Sequence, residues 1–164
     1  GLRAWRREVL GKPHPPLSVV LTRARRLRFD HPLFATAFGV IVFTDEDGVR
    51  RIRPTAPPGV EVVGSPAPTL RSAIDWLRGE RGCATVDVEA GPSSSEALYR
   101  DPVAVDELML SVYEAGPLAP DRCAGRFTDE ERLRALFAEP AAPFSSLEES
   151  GRWSFHRLVR RPRG

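Results

Sequence analysis

Apolar residues fall along the chain in two rhythms. Short unbroken runs at 17–22, 39–44 and 60–64 are rich in valine and isoleucine and predict strands covered on both faces. A fourth strand is expected at 85–89, where valine alternates with polar residues, and a long fifth at 105–113. The other rhythm is helical. Leu70, Ala73, Ile74 and Leu77 recur at helix spacing, with Thr69 placed to cap the start, Trp76 at the stripe's edge and Gly82 at the end. A second helix is predicted over 128–137, with Asp129, Glu130 and Glu131 in its first turn, and a short one over 96–99. Residues 144–161 alternate apolar and polar about Gly151, the pattern of an antiparallel hairpin.

The intervening segments are punctuation. Residues 1–16 form a lead-in, helical or irregular, that stops at the prolines Pro13, Pro15 and Pro16. Residues 23–31 read as a polar loop, 32–34 as a cover for apolar surface, 45–48 as a solvated turn and 54–59 as a proline-rich connector. Buried strands interleaved with helices, then a hairpin, predict one α/β domain over 1–164: three layers, a mostly parallel central sheet and an antiparallel C-terminal end.

Composition narrows the function classes. A 41% hydrophobic and 28% charged chain matches an ordinary globular protein, and no apolar run is long enough to span a bilayer. With no apolar leader near Gly1, a cytoplasmic protein is expected. A net charge of +2 is too small to make nucleic acid or an anionic membrane the expected partner, although arginines cluster at 23–28 and 157–163. Cys83 and Cys123 share no metal or redox spacing, and His14, His31 and His156 are scattered, so no metal site is expected. His31 reads as a loop cap and His156 as a strand-face residue. Asp106 and Glu107 read as a turn or an interface-edge pair rather than an acid/base dyad.

Ligands of open α/β sheets lie beyond the carboxyl ends of the strands. Four expected strand ends carry chemistry: Thr22 with Arg23, Thr44, Gly64 with Ser65, and the run Glu89-Ala-Gly-Pro-Ser-Ser-Ser95. In the last, a carboxylate precedes a glycine turn and a helix start bearing three hydroxyls, where free amides favour phosphate. A plain serine cap explains the same residues equally well.

Residues 86–99, with Glu89-Ala-Gly-Pro-Ser-Ser-Ser95, followed by Val105-Asp-Glu-Leu108, resemble the paired signature of the RibD C-terminal reductase family. Pro16 to Thr22, His31-Pro-Leu-Phe34 and Val42-Phe-Thr44 resemble the same family in the same order. The resemblance implies a dihydrofolate-reductase-like fold, a homodimer, and NADPH-dependent reduction of a small nitrogen heterocycle, as in riboflavin biosynthesis. It implies cofactor contacts from Thr22, Arg23, Thr44, Gly91, Pro92, Ser93, Ser94 and Ser95, with Arg23 facing the 2′-phosphate. Glu89 would lie beside the nicotinamide and orient the substrate or its proton relay, and Arg26 would contact the substrate. Two departures stand out. Ala90 replaces the family's second glycine, a difficulty if that position needs positive φ. The family's opening strand and helix, with their Ser-x-Asp-Gly segment, are expected to be missing, in a fragment or a shortened protein. The alternatives are a pterin- or folate-type reductase, or a non-catalytic relative that keeps the fold as an interaction domain.

Overall fold

The computed structural model describes residues 1–23, 27–35, 39–100, 102–113, 129–139 and 153–162. The chain divides into two compact units, Gly1–Val86 and Asp87–Gly164. Among the described residues it is an α/β chain with one parallel and one antiparallel sheet, each of three strands.

In the first unit, helix α1 (Leu2–Glu8) realises the helical option for the lead-in. Strands β1 (Ser18–Leu21), β2 (Val40–Thr44) and β3 (Val60–Gly64) then form a parallel sheet in the order β1-β2-β3. Every residue of the central β2 is buried, which explains its continuous apolar run. Alternation sends its side chains to two different helices. Val42 packs with Val62 and with Val49 and Ile52 of helix α2 (Glu46–Ile52). Phe43 faces the other way, its ring 5.9 Å from that of Trp76 on helix α3 (Leu70–Arg81). Leu27, Phe29 and Phe34 close the first side, so Phe34 and the 3-10 turn Pro32–Ala35 do cover apolar surface.

Helix α2 corrects the reading of residues 45–48 as a turn. Asp45 is its N-cap, accepting a 2.6 Å hydrogen bond from the Gly48 amide, and Glu46 and Asp47 occupy the first turn. The Asp-Gly spelling suggested a turn, yet Val49 and Ile52 already carried the i, i+3 stripe that buries this helix. Helix α3 is as expected, with one addition: Thr69 and Ser72 cap each other reciprocally, and Gly82 ends the helix at φ +61°. Arg81 lies over the Trp76 ring, 5.0 Å from its centre, and pairs with Glu61 of β3.

In the second unit, helix α4 (Pro92–Ser95) runs into a 3-10 turn at Glu96–Leu98. Strand β4 (Glu107–Tyr113), helix α5 (Glu130–Leu136), β5 (Phe137–Ala138) and β6 (Trp153–Arg160) follow. The sheet is antiparallel in the order β4-β6-β5, with Leu110 opposite His156 and Val112 opposite Ser154. Asp129 caps α5 through the Arg132 amide at 2.7 Å. Leu98, Tyr99 and Phe137 are buried, the two rings meeting edge to face at 6.3 Å. The expected arm at 144–150 lies outside the described residues, so β6 is seen pairing with β4 and β5 instead.

Two expectations are corrected here. The sheet is not one mostly parallel layer, because the fifth expected strand, β4, joins a separate antiparallel sheet. Residues 85–89 form no strand: Thr85, Asp87 and Glu89 are exposed, Val86 and Val88 only half-buried, and the segment enters no ladder among the described residues. Alternating valines give a chain an apolar edge, but a strand also needs a neighbour to take its amides.

Candidate functional site

The strand ends of the first unit bring Thr22, Thr44 and Ser65 to one edge of the parallel sheet. Thr22 follows β1 and donates its amide to the Phe43 carbonyl at 3.1 Å. Ser65 follows β3 and donates to the Thr44 carbonyl at 2.8 Å. Arg23 is exposed beside them, its Nη2 3.5 Å from the Pro68 carbonyl. A guanidinium at this edge is the group that suits a bidentate phosphate contact.

Thr44 behaves otherwise than expected. Its side chain turns inward beneath α2 and is 0% exposed, and its hydroxyl has no hydrogen-bond partner among the described residues. The Gly48 Cα lies directly against it; a methyl there would collide with the hydroxyl and stand 2.9 Å from Cγ2. Val40 to Phe43 pack β2 so completely that its last side chain is enclosed with them. Thr44 thus offers a ligand at the strand end no side-chain contact.

In the second unit, Glu89, Ala90, Gly91, Ser93 and Ser94 are exposed, while Ser95 is buried. Glu89 lies on an irregular segment rather than a strand end, and makes no hydrogen bond or ion pair to the described residues. The Ser94 and Ser95 amides both donate to the Gly91 carbonyl, at 3.1 and 3.0 Å, and the Ser95 hydroxyl donates back to Ala90 O at 3.0 Å. Pro92 has no amide hydrogen. The one-turn helix α4 therefore spends much of its donor capacity on itself, the plain-cap pattern that serine makes. Ser93 and Ser94 keep their hydroxyls at the surface. Ala90 is no obstacle: no described non-glycine residue has positive φ, and Gly91 is not in the left-handed region either. Arg26 and Cys123 lie outside the described residues, and Cys83 is a half-buried free thiol.

The basic C-terminal segment is occupied within its own unit. Arg157 chelates Glu107 at 2.9 and 2.8 Å, and its hydrogen bonds hold the Glu107 carboxyl below its ordinary range. Arg160 binds Asp106 at 2.7 Å and the Val103 carbonyl at 2.7 Å, and Arg161 Nε donates to the Arg134 and Phe137 carbonyls. Asp106 and Glu107 are thus structural partners of β6.

A groove of about 840 Å³ opens in this unit between the β4–β6 face and α5. Leu110, Val112, Leu133, Phe137 and Leu158 give it an apolar lining, and His156, Glu139 and Arg134 add polar groups. Nothing in the linear sequence singled it out, because Glu139 and His156 are brought together only by strand pairing. Among the described residues, no group of three metal-ligating side chains occurs, and no helix is long and apolar enough to cross a membrane. No family model matches this chain, and no curated protein matches it either.

Proposed function

We propose that this chain is an NADPH-dependent reductase of a small nitrogen heterocycle, with a dihydrofolate-reductase-like fold related to the RibD C-terminal family. The observation that carries the reading is the carboxyl end of the parallel sheet, where Thr22 and the exposed Arg23 follow the half-buried β1 beside the fully buried β2. The order of family-like motifs along nearly the whole sequence supports it independently.

In this reading Arg23 holds the cofactor's 2′-phosphate and Thr22 a neighbouring polar group. Thr44 anchors α2 beneath that edge instead of touching the ligand. The resemblance gives the second unit the diphosphate contacts at Gly91 to Ser95 and the heterocycle at Glu89, and within that unit Ser93, Ser94 and Glu89 are accessible. When bound, NADPH supplies the hydride; the chain's own work is orientation and exclusion of water. The reading includes a homodimer acting on a cytoplasmic small molecule.

Titration with NADPH and NADH, followed by nicotinamide fluorescence, tests this. Preference for NADPH that Arg23→Ala removes supports the assignment, since the lost phosphate contact is worth about 1.5–3 kcal/mol, on the order of a tenfold to hundredfold weakening. Equal affinity for the two nucleotides in the native chain contradicts it. A second reading is a non-catalytic relative that uses the fold for interaction. The irregular 85–89 segment and the enclosed Thr44 hydroxyl favour it, and it predicts no response to either nucleotide.

A further inference from the structure

The geometry points to a nucleophilic serine beside the second unit's groove: Ser154, with His156 as its base and Glu139 as the positioning carboxylate, acting on small apolar acyl esters. Ser154 and His156 are two residues apart on β6 and so share a face. His156 lines the groove together with the cross-strand partners Leu110 and Val112, and Ser154 lies beside it on the same face of β6. The Ser154 hydroxyl lies 3.0 Å from His156 Nε2, and His156 Nδ1 lies 3.8 Å from Glu139 Oε1 on the opposite side of the ring. A carboxylate facing Nδ1 favours the proton there, which leaves Nε2 as the acceptor for the serine proton. At 3.8 Å the carboxylate orients the ring by charge rather than by a direct hydrogen bond.

The surroundings suit the chemistry. An apolar groove with a few convergent polar groups is the usual form of a small-molecule site. Arg134 and Arg161 line the same groove along with Asp129 and Glu139, and positive charge is of the sign that favours a developing oxyanion. Attack proceeds with the Ser154 oxygen bonding to the ester carbonyl carbon while its proton passes to His156 Nε2. The carbonyl electron pair moves to oxygen and returns as the bond to the leaving alcohol breaks, and the imidazolium gives that alcohol its proton. Water then repeats the two steps on the acyl-serine, releasing the acid and restoring the hydroxyl.

The test uses the full chain with a fluorophosphonate probe, reading the modified residue by peptide mass spectrometry, and with p-nitrophenyl acetate and butyrate as substrates. The expected result is a single adduct on Ser154, abolished by Ser154→Ala and slowed at least tenfold by His156→Gln. Glu139→Gln is expected to lower kcat several-fold with KM unchanged, and Glu139→Asp to restore part of it, a split that loss of packing would not give. Absence of an adduct on Ser154 in the native chain overturns the proposal, as does labelling that His156→Gln leaves unchanged. Ser154→Cys gives a second measure: its alkylation by iodoacetamide is expected to slow when His156→Gln is added. Neither result depends on NADPH, so this proposal and the reductase reading stand or fall separately.

Discussion

Replacing Gly48 with alanine sets helix propensity against packing. In an exposed helix the change stabilises by about 0.5–1 kcal/mol, because glycine loses more backbone freedom on folding. Here the added methyl would overlap the Thr44 hydroxyl and approach Cγ2 at 2.9 Å and Cβ at 3.0 Å, with Thr44 enclosed and unable to yield. Overpacking of this kind costs about 1–3 kcal/mol, so a net loss of about 1 kcal/mol or more is expected. Combining Gly48→Ala with Thr44→Ala removes the two closest atoms and keeps the 3.0 Å approach to Cβ. Thr44→Ala alone removes a buried hydroxyl that lacks a partner but also a buried methyl, and the cycle subtracts that cost. Urea unfolding of the four chains by circular dichroism then yields a double-mutant cycle, in which the pair is expected to be less destabilised than the sum by about 1 kcal/mol. A stabilising Gly48→Ala, or strict additivity, would refute the contact between β2 and α2 and reopen Thr44 as a ligand group.

Further outcomes follow from the caps and the ion pairs. Asp45→Ala removes the bond to the Gly48 amide and is expected to cost about 1 kcal/mol in the same urea titration, with Asp45→Asn retaining most of the stability. The Glu107 carboxyl is held low by its hydrogen bonds to Arg157. A depressed carboxyl contributes stability that is present above its ordinary value of 4.5 and is lost as pH falls through the lower folded value. The melting-temperature gap between native chain and Glu107→Gln is therefore expected to be widest near neutrality and to close in acid. A gap that widens in acid would contradict the pairing.

Much of the first unit was legible in the sequence because its signals are local. The β-branched run of β2, the spaced apolar residues of α3 and its Thr69 and Gly82 boundaries need no tertiary information. Asp45 was misread because Asp-Gly is shared by turns and helix starts, and only the stripe at Val49 and Ile52 separates the two. The second unit was less legible. Whether 85–89 pairs, and which sheet takes 107–113, depends on which strand edges meet, and that has no local signature. The enclosure of Thr44 follows from a single glycine four residues on, and the approach of His156 to Ser154 and Glu139 from strand alternation and the β5–β6 ladder. Motif order suggested where chemistry would lie, but solvent access to each side chain is a property of packing.

Amide chemical-shift mapping with oxidised NADP on the isotope-labelled chain tests the reductase account most directly, because it reports which residues feel the nucleotide. The account predicts saturable shifts at Thr22, Arg23 and Ser65 and at Gly91, Ser93 and Ser94, larger for NADP than for NAD. Unchanged spectra at millimolar nucleotide, or shifts confined to residues outside these two segments, would contradict it.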